Sequence, residues 1–422
     1  MHGPSGATVK NWAGNVTFGA ARVHRPTTVD ELCEVVASSS RIRAIGSGHS
    51  FSDIVATPGE LVTLTDLPPV VEMKPGGVRV SAGLRYGDVA PALHDAGVAL
   101  ANLGSLPHIG IAGAVATGTH GSGVTLGSLA TAVNALELVR ADGSRVTIAR
   151  GEPDFAGSVV ALGALGIVTH VTLDVLPTFD VAQFVYEGCE LTAVLDAFDE
   201  VLGSAYSVSV FTDWASAQIW RKQLAGLPAP PSFAGGVLAT VDRHPIVALS
   251  AEACTPQRGV PGPWHTRLPH FRLDFTPSSG DELQSEFFVP RAVAADALAA
   301  VASLGPRLRP VLQVSELRTV AADDLWLSPA YGRDTLAIHF TWVSDWAKVR
   351  PVLAEVEAAL APFDARPHWG KLFTRPAEHP CLADFRQLRA SADPAGTFGN
   401  PYLDRILGPA ATVTPAAADR AE

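Results

Sequence analysis

The chain is poor in charge. Asp, Glu, Lys and Arg make up 17% of its 422 residues, against a usual share near ~25%. Basic residues are the scarcer sign, 31 against 42 acidic ones, for a formal net charge of −11. A nucleic-acid partner is therefore not expected, because such a face needs clustered Lys and Arg to meet phosphates. With 47% hydrophobic residues, the chain also lacks the composition of a disordered protein. Long apolar runs are missing: the most apolar stretch, 159–168, falls well short of the about 20 residues that span a bilayer. No membrane association is expected. The N-terminus has no basic region followed by an apolar one, so no export signal is expected. Cysteine is scarce as well. Cys33, Cys189, Cys254 and Cys381 stand far apart with no CxxC pair. That spacing argues against a disulfide framework or a metal site and for buried free thiols in a reducing cytoplasm.

What the chain has in surplus is Gly and Pro, 38 and 32 residues. In a chain that is not disordered, this implies many short strands and tight loops, with some Gly admitting close approach of backbone to a ligand. The length suggests two or three domains at about 150 residues each.

A helix is predicted at 28–39, where Thr28 and Glu31 form a capping box and Val29, Leu32, Val35 and Val36 share a face. A strand at 41–45 runs into Gly46-Ser47-Gly48. Strands at 70–74 and 78–82 flank Pro75-Gly76-Gly77, and strands at 133–140 and 144–149 flank Asp142-Gly143, both hairpin signals. Helices at 86–95 and 154–162 and a strand at 167–176 complete a first α+β unit. Beyond 178 a helix is predicted at 190–203 and a strand at 206–214. A Pro- and Gly-rich excursion covers 225–270. Strands at 282–289, 311–320 and 334–343 alternate with helices at 291–303 and 345–360, the pattern of an antiparallel sheet with helices on one face. A strand at 368–374, a helix at 382–391 and a frayed Ala- and Pro-rich tail after 410 close the chain.

Two Gly-rich segments carry the first chemical signal. Gly46-Ser47-Gly48 follows a strand, but Phe51 holds the place of the third Gly of a dinucleotide fingerprint and no helix starts there. Alone, it reads as a tight turn. The segment from Ser105 to Gly123 is long, uncharged and built of small residues. Its backbone N–H groups can cradle a pyrophosphate without Lys or Arg. Tight helix packing is the alternative, but it leaves the interleaved hydroxyl residues unexplained.

The second signal is polar pairs inside apolar strands. Residues i and i+2 share a strand face. Such faces hold Gln284 with Glu286, Glu316 with Arg318, and His339 with Thr341. One pair is an ordinary structural ion pair; three strands with the same habit imply a polar floor suited to a ligand with several hydroxyls. Lys371, beside Trp369 and Phe373, is either a snorkelling Lys or a buried one with a lowered pKa, able to act as a base.

Together, Gly46-Ser47-Gly48-His49-Ser50, the block from Ser105 to Gly123, Glu316-x-Arg318 and His368-Trp369-Gly370-Lys371 resemble the vanillyl-alcohol-oxidase-type FAD family. Ser105-Leu106-Pro107-His108-Ile109 and the string from Ser328 to Thr335 are most similar to its alditol (xylitol or sorbitol) oxidases; the rest is shared with aldonolactone oxidoreductases. The resemblance runs from Asn11 to Asn400. It implies a two-domain α+β FAD-binding (PCMH-type) fold with an antiparallel-sheet cap domain: residues 1–178 binding FAD, 179–374 capping it, and 375–422 returning to the first domain. It also implies FAD linked covalently through His49. Flavin contacts are implied at Ile45, Gly46, Ser47, Gly48, His49, Ser50, Phe51, Ser105, Gly110, Gly113, Thr117, Gly118, Thr119, His120, Ile167, His368 and Asn400. Gly110 departs from the pattern, which carries Ser there. A small residue at Gly104 is implied to leave the flavin open to oxygen. Lys371 and His339 are implied to favour loss of the C1 hydroxyl proton, with Glu316 and Arg318 as further catalytic groups. Ser105, Gln284, Glu316, Arg318, Thr341 and Lys371 would bind the substrate. The implied partners are a small polyol and O2, for a monomeric cytoplasmic enzyme that yields an aldose and H2O2. An aldonolactone or sugar oxidoreductase on the same fold is the alternative.

Overall fold

A computed structural model describes residues 9–275, 281–376 and 378–408. The tail after 410 lies outside the described residues. Near the N-terminus, strands Arg22–His24 and Ile42–Ala44 flank Glu60–Val62 in a parallel three-stranded sheet. Helix α1 (Val29–Ser38) is capped by Thr28, whose hydroxyl accepts from the Glu31 amide. The return bond of the predicted box falls one residue early: Glu31 accepts from the amide and hydroxyl of Thr27. Leu32 and Val36 are buried on its inner face.

A five-stranded antiparallel sheet follows. It contains β1 (Val71–Lys74), β2 (Gly77–Ser81), β3 (Val133–Val139), β4 (Arg145–Ala149) and β5 (Ile167–Asp174), in the order β1-β2-β5-β3-β4. Both predicted hairpins form. Pro75 and Gly76 occupy the turn between β1 and β2, and Gly76 has φ of +78°, the left-handed value that a Pro-Gly turn requires. Helix α2 (Tyr86–Asp95) and the short α3 (Ile111–Thr117) pack onto this sheet through Tyr86, Val89, Leu93, Ile111 and Val115.

The cap is built on a larger antiparallel sheet. Its long strands are β6 (Asp180–Glu190), β7 (Ser207–Thr212), β8 (Ser216–Leu224), β9 (Glu282–Pro290), β10 (Leu312–Val320) and β11 (Thr335–Val343), in the order β6-β8-β7-β10-β11-β9. Side-chain alternation divides its two faces. Phe287, Val289, Leu317, Ile338, Phe340 and Trp342 pack with helices α4 (Ala294–Ser303) and α5 (Trp346–Leu360) through Leu298, Val301, Val349 and Leu353. Each such fully buried aliphatic or aromatic side chain contributes about 1.5–3 kcal/mol. The other face carries Gln284, Glu286, Glu316, Arg318, His339 and Thr341 into a cavity.

Three sequence expectations are corrected here. Strands β6 and β8 were not predicted; β8 carries Lys222, which is 1% exposed. The helix predicted at 190–203 is two helices, Leu191–Asp196 and Phe198–Leu202, separated at Ala197 (φ −116°). Residues 368–374 do not form a strand. Regular pairing with β9 is limited to Arg366–Pro367. A turn at 368–371, with the Lys371 amide donating to the His368 carbonyl, interrupts it, while the amides of His368 and Leu372 still donate to the carbonyls of Glu286 and Gln284.

The C-terminal helices α6 (Leu382–Ala392) and α7 (Pro401–Leu407) leave the cap. Phe385, Leu388, Tyr402 and Leu403 join the core that holds α2, α3 and β5. No described helix is long and apolar enough to cross a membrane.

Candidate active site

A cavity of about 620 Å³ lies between the first domain and the polar face of the cap sheet, within the usual ~300–1,000 Å³ of small-molecule sites. Its two ends differ in chemistry.

One end is walled by backbone. The two Gly-rich segments meet there: the Gly110 amide donates to Ser47 Oγ at 3.0 Å. The amides of Gly46, Ser47, Gly48, His49 and Ser50 donate to no acceptor among the described residues, nor do those of Ala112 and Gly113. These are unused donors on residues that line the cavity, the provision needed for a dinucleotide pyrophosphate. A Cβ on Gly46 or Gly113 would meet nothing within 4 Å. His49 stacks on Trp12, with ring centroids 5.4 Å apart and planes 20° apart. Its Nδ1 is buried without a partner, and burial, helped by His108, pushes its pKa down to about 4. It is a neutral imidazole with a free ring nitrogen. The loop is tied to the turn after β9's partner segment, since Phe51 donates to Gly370 O at 2.7 Å and Ser52 Oγ to Trp369 O at 2.9 Å. Open space, unused amides and an orphaned His nitrogen fit FAD.

The other end is the floor predicted from strand alternation. Its hub is Glu286, 1% exposed, noted in the sequence only as Gln284's neighbour on the strand face. Its Oε1 accepts from Arg318 Nη2 at 2.7 Å and from His120 Nε2 at 3.1 Å. Its Oε2 lies 3.7 Å from Lys371 Nζ and 3.8 Å from His339 Nδ1. Burial alone would raise the Glu286 pKa, but His120, Arg318 and Lys371 outweigh it and hold the carboxyl well below its usual range. Lys371 donates to Gln284 Oε1 at 2.6 Å and to His339 Nδ1 at 3.2 Å. His339 Nε2 lies 3.1 Å from Thr341 Oγ1, so its ring proton sits there. Burial lowers His339 to about 4 and also lowers Lys371, with Glu286 opposing the shift in Lys371.

Glu316 completes the far side of the floor. Its Oε1 accepts from His270 Nε2 at 2.8 Å and lies 3.5 Å from Arg318 Nε. Burial opposes its ionisation, but Arg318 and His270 prevail and lower its pKa. Arg318 Nη1 reaches Ser105 Oγ at 3.3 Å, joining the floor to the Gly-rich wall. His270 Nδ1 meets Lys222 Nζ at 3.0 Å. Burial pushes Lys222 down to about 7 and His270 to about 4.

Most predicted site residues line this one cavity: Ile45 to Phe51, Ser105, Gly110, Gly113, Thr117, Thr119, His120, Gln284, Glu316, Arg318, His339, Thr341, His368 and Lys371. Three do not. Gly118 ends α3 in the left-handed conformation. Ile167 is buried in the core under α1. Asn400 caps α7 and donates to the carbonyls of Ile54 and Ala56, both at 2.9 Å. Gly104 lines the cavity, but a Cβ on it would meet Ile109 Cδ1 at 3.3 Å, so its missing side chain makes room for Ile109. The residues missed from sequence are Glu286, His270 and Lys222. Alternation placed Glu286 on the right face. His270 comes from the irregular excursion at 225–270, which also sends His244, Ile246 and Leu249 to the cavity; no motif marks it.

The chain is similar to known flavoproteins. Residues 20–149 match the FAD binding domain family, and residues 281–406 match the D-arabinono-1,4-lactone oxidase family. The chain is 51% identical over 413 residues to an alditol oxidase of Streptomyces sp., covering 94% of this chain and 99% of that protein. It is 30% identical over 429 residues to L-gulono-1,4-lactone dehydrogenase of Mycobacterium tuberculosis, covering 94% and 99%. Cholesterol oxidase from B. sterolicum shares the fold at a TM-score of 0.77 and 14% identity, over 95% of this chain and 96% of that one. The chain belongs to the alditol oxidase family of vanillyl-alcohol-oxidase-type FAD flavoproteins.

Proposed function

We propose that this protein is an FAD-dependent alditol oxidase that converts the terminal C1 alcohol of a polyol to an aldose and reduces O2 to H2O2. One observation carries the reading: a single cavity joins an uncharged backbone cradle to a buried floor of Lys371, His339, Glu286, Arg318 and Glu316. The Gly46–Ser50 and Gly110–Gly113 segments would hold FAD, which would supply the hydride acceptor and pass two electrons to O2. The protein supplies the rest. Lys371, its pKa lowered by burial, takes the C1 hydroxyl proton, and Glu286 at 3.7 Å stabilises the ammonium that forms. Neutral His339 fixes the orientation of Lys371. Arg318, Glu316, Ser105 and Thr341 hold the remaining hydroxyls, and a shorter or less hydroxylated alcohol leaves these buried groups unpaired.

His49 is the proposed covalent anchor of the flavin. Its free Nδ1 and low basicity support that role. The parent protein is expected to keep its flavin after acid precipitation, and His49→Ala to release it; full release from the parent sinks the covalent link. Gly113 tests the cradle separately. Gly113→Leu adds a side chain where nothing stands within 4 Å and removes a helical Gly that costs about 0.5–1 kcal/mol. The apoprotein should fold as well as the parent, while flavin content falls several-fold. Undiminished flavin absorbance would place the cofactor elsewhere.

The match of 281–406 to the D-arabinono-1,4-lactone oxidase family supports a second reading, an aldonolactone oxidoreductase. Peroxide formation with xylitol, sorbitol, glycerol and gulonolactone, measured side by side, separates the two. Faster turnover of the lactone would favour the second.

A further inference from the structure

Behind Glu316 lies a buried chain of side chains to which the reaction assigns no task. Lys222 Nζ contacts His270 Nδ1 at 3.0 Å, and His270 Nε2 contacts Glu316 Oε1 at 2.8 Å. Lys222 also donates to the carbonyls of Leu268 and Pro269. The ionised Glu316 carboxylate can only accept, so the imidazole proton sits on Nε2, aimed at Glu316, and His270 Nδ1 accepts from Lys222. The ring is also held sterically, with Phe211 and Trp220 edge-on to it at 5.2 and 5.4 Å. The His270 amide is pinned by Ser105 O at 3.0 Å. Both contacts made to Glu316 by His270 and Arg318 fall on Oε1. Oε2 has no hydrogen-bond partner among the described residues, and the side chain lines the cavity.

The sheet sets what that free oxygen can read. Glu286, His339 and Glu316 stand in register on β9, β11 and β10. Two strand spacings, about 9–10 Å, separate the Gln284/Glu286 strand beside Lys371 from the strand of Glu316. An alditol whose C1 hydroxyl sits at Lys371 meets Glu316 through its later hydroxyls. We propose that Lys222 and His270 are positioning residues that orient Glu316 Oε2 and thereby set the enzyme's preference for longer alditols over three-carbon ones. This rests on the alditol oxidase reading above.

The test is steady-state kinetics of the holoenzyme on xylitol and glycerol. His270→Phe keeps the ring volume but removes both nitrogens. It should raise KM for xylitol at least tenfold, leave kcat within threefold, and change KM for glycerol less than twofold. His270→Gln carries an amide N–H to donate to Glu316 and an oxygen to accept from Lys222, and should restore the xylitol KM to within threefold of the parent. Lys222→Met should reproduce the loss in part. Should His270→Phe not accumulate, the comparison of His270→Gln with Lys222→Met decides: the first near the parent and the second impaired on xylitol alone supports the proposal. Equal effects on both alditols, an unchanged xylitol KM, or failure of His270→Gln to rescue overturns it while leaving the oxidase reading intact. No turnover of either alditol by the parent overturns both.

Discussion

Lys371→Met is expected to lower kcat with alditols by about 10²- to 10⁴-fold, the usual contribution of a positioned acid–base group. Flavin content and folding should stay near the parent's. The Met side chain keeps the apolar stem and removes only the amine, which contacts Gln284 Oε1 at 2.6 Å and His339 Nδ1 at 3.2 Å. No hydrogen bond of the backbone cradle involves that amine, so cofactor binding is insulated from the change. The deciding measurement is the anaerobic rate of flavin reduction by a polyol in stopped flow, because it isolates the alcohol step from the oxygen step. A variant within tenfold of the parent would remove Lys371 from the proton-transfer role and leave it a tether for the turn at 368–371.

Glu286→Gln should be the most destabilising single change at the site. Glu286 is fully enclosed and faces Arg318, His120 and Lys371. Neutralising it removes the buried counter-charge nearest Arg318, which among the described residues keeps only Glu316 at 3.5 Å; breaking such a buried pair costs about 3–5 kcal/mol. The expected result is a large drop in the urea midpoint together with loss of alditol oxidation. The Gln oxygen can still accept from Arg318, but without the charge the contact that holds Arg318 between Ser105 and Glu316 is weaker. A variant as stable as the parent would show that the carboxylate is not what holds the floor together.

Much of this site was legible in the sequence because it is written in strand alternation and in Gly spacing. Gln284, Glu316, Arg318, His339 and Thr341 lie on regular strands of the cap, and a period of two forces them onto one face. The Ser105–Gly123 segment announces itself by composition, whereas Gly46–Gly48 alone reads as a tight turn and is joined to it only through the family resemblance; the two meet at Ser47 and Gly110. The residues that escaped did so for identifiable reasons. Glu286 was on the correct face, but sequence alone does not show that four cationic or imidazole groups converge on it. Lys222 sits on a strand that was not predicted, and a buried Lys is rare. His270 arrives from the long excursion at 225–270, where tertiary bonds such as that from its amide to Ser105 O determine its place. Lys371 was predicted as a strand residue and is instead held by a turn, which the bonds from Phe51 and Ser52 to Gly370 and Trp369 impose. Asn400 shows the opposite error: its motif was visible, but its side chain caps a helix and buttresses the loop at Ile54 and Ala56.

The central claim is that one cavity binds FAD and oxidises a polyol at the expense of oxygen. Its most direct test is H2O2 formation by the purified, flavin-loaded protein in air-saturated buffer with xylitol or sorbitol, with consumed O2 measured in parallel. The account predicts one H2O2 per O2 consumed, with turnover of the alditol exceeding that of gulonolactone. Absence of peroxide with every polyol, from protein that carries its flavin, would contradict it.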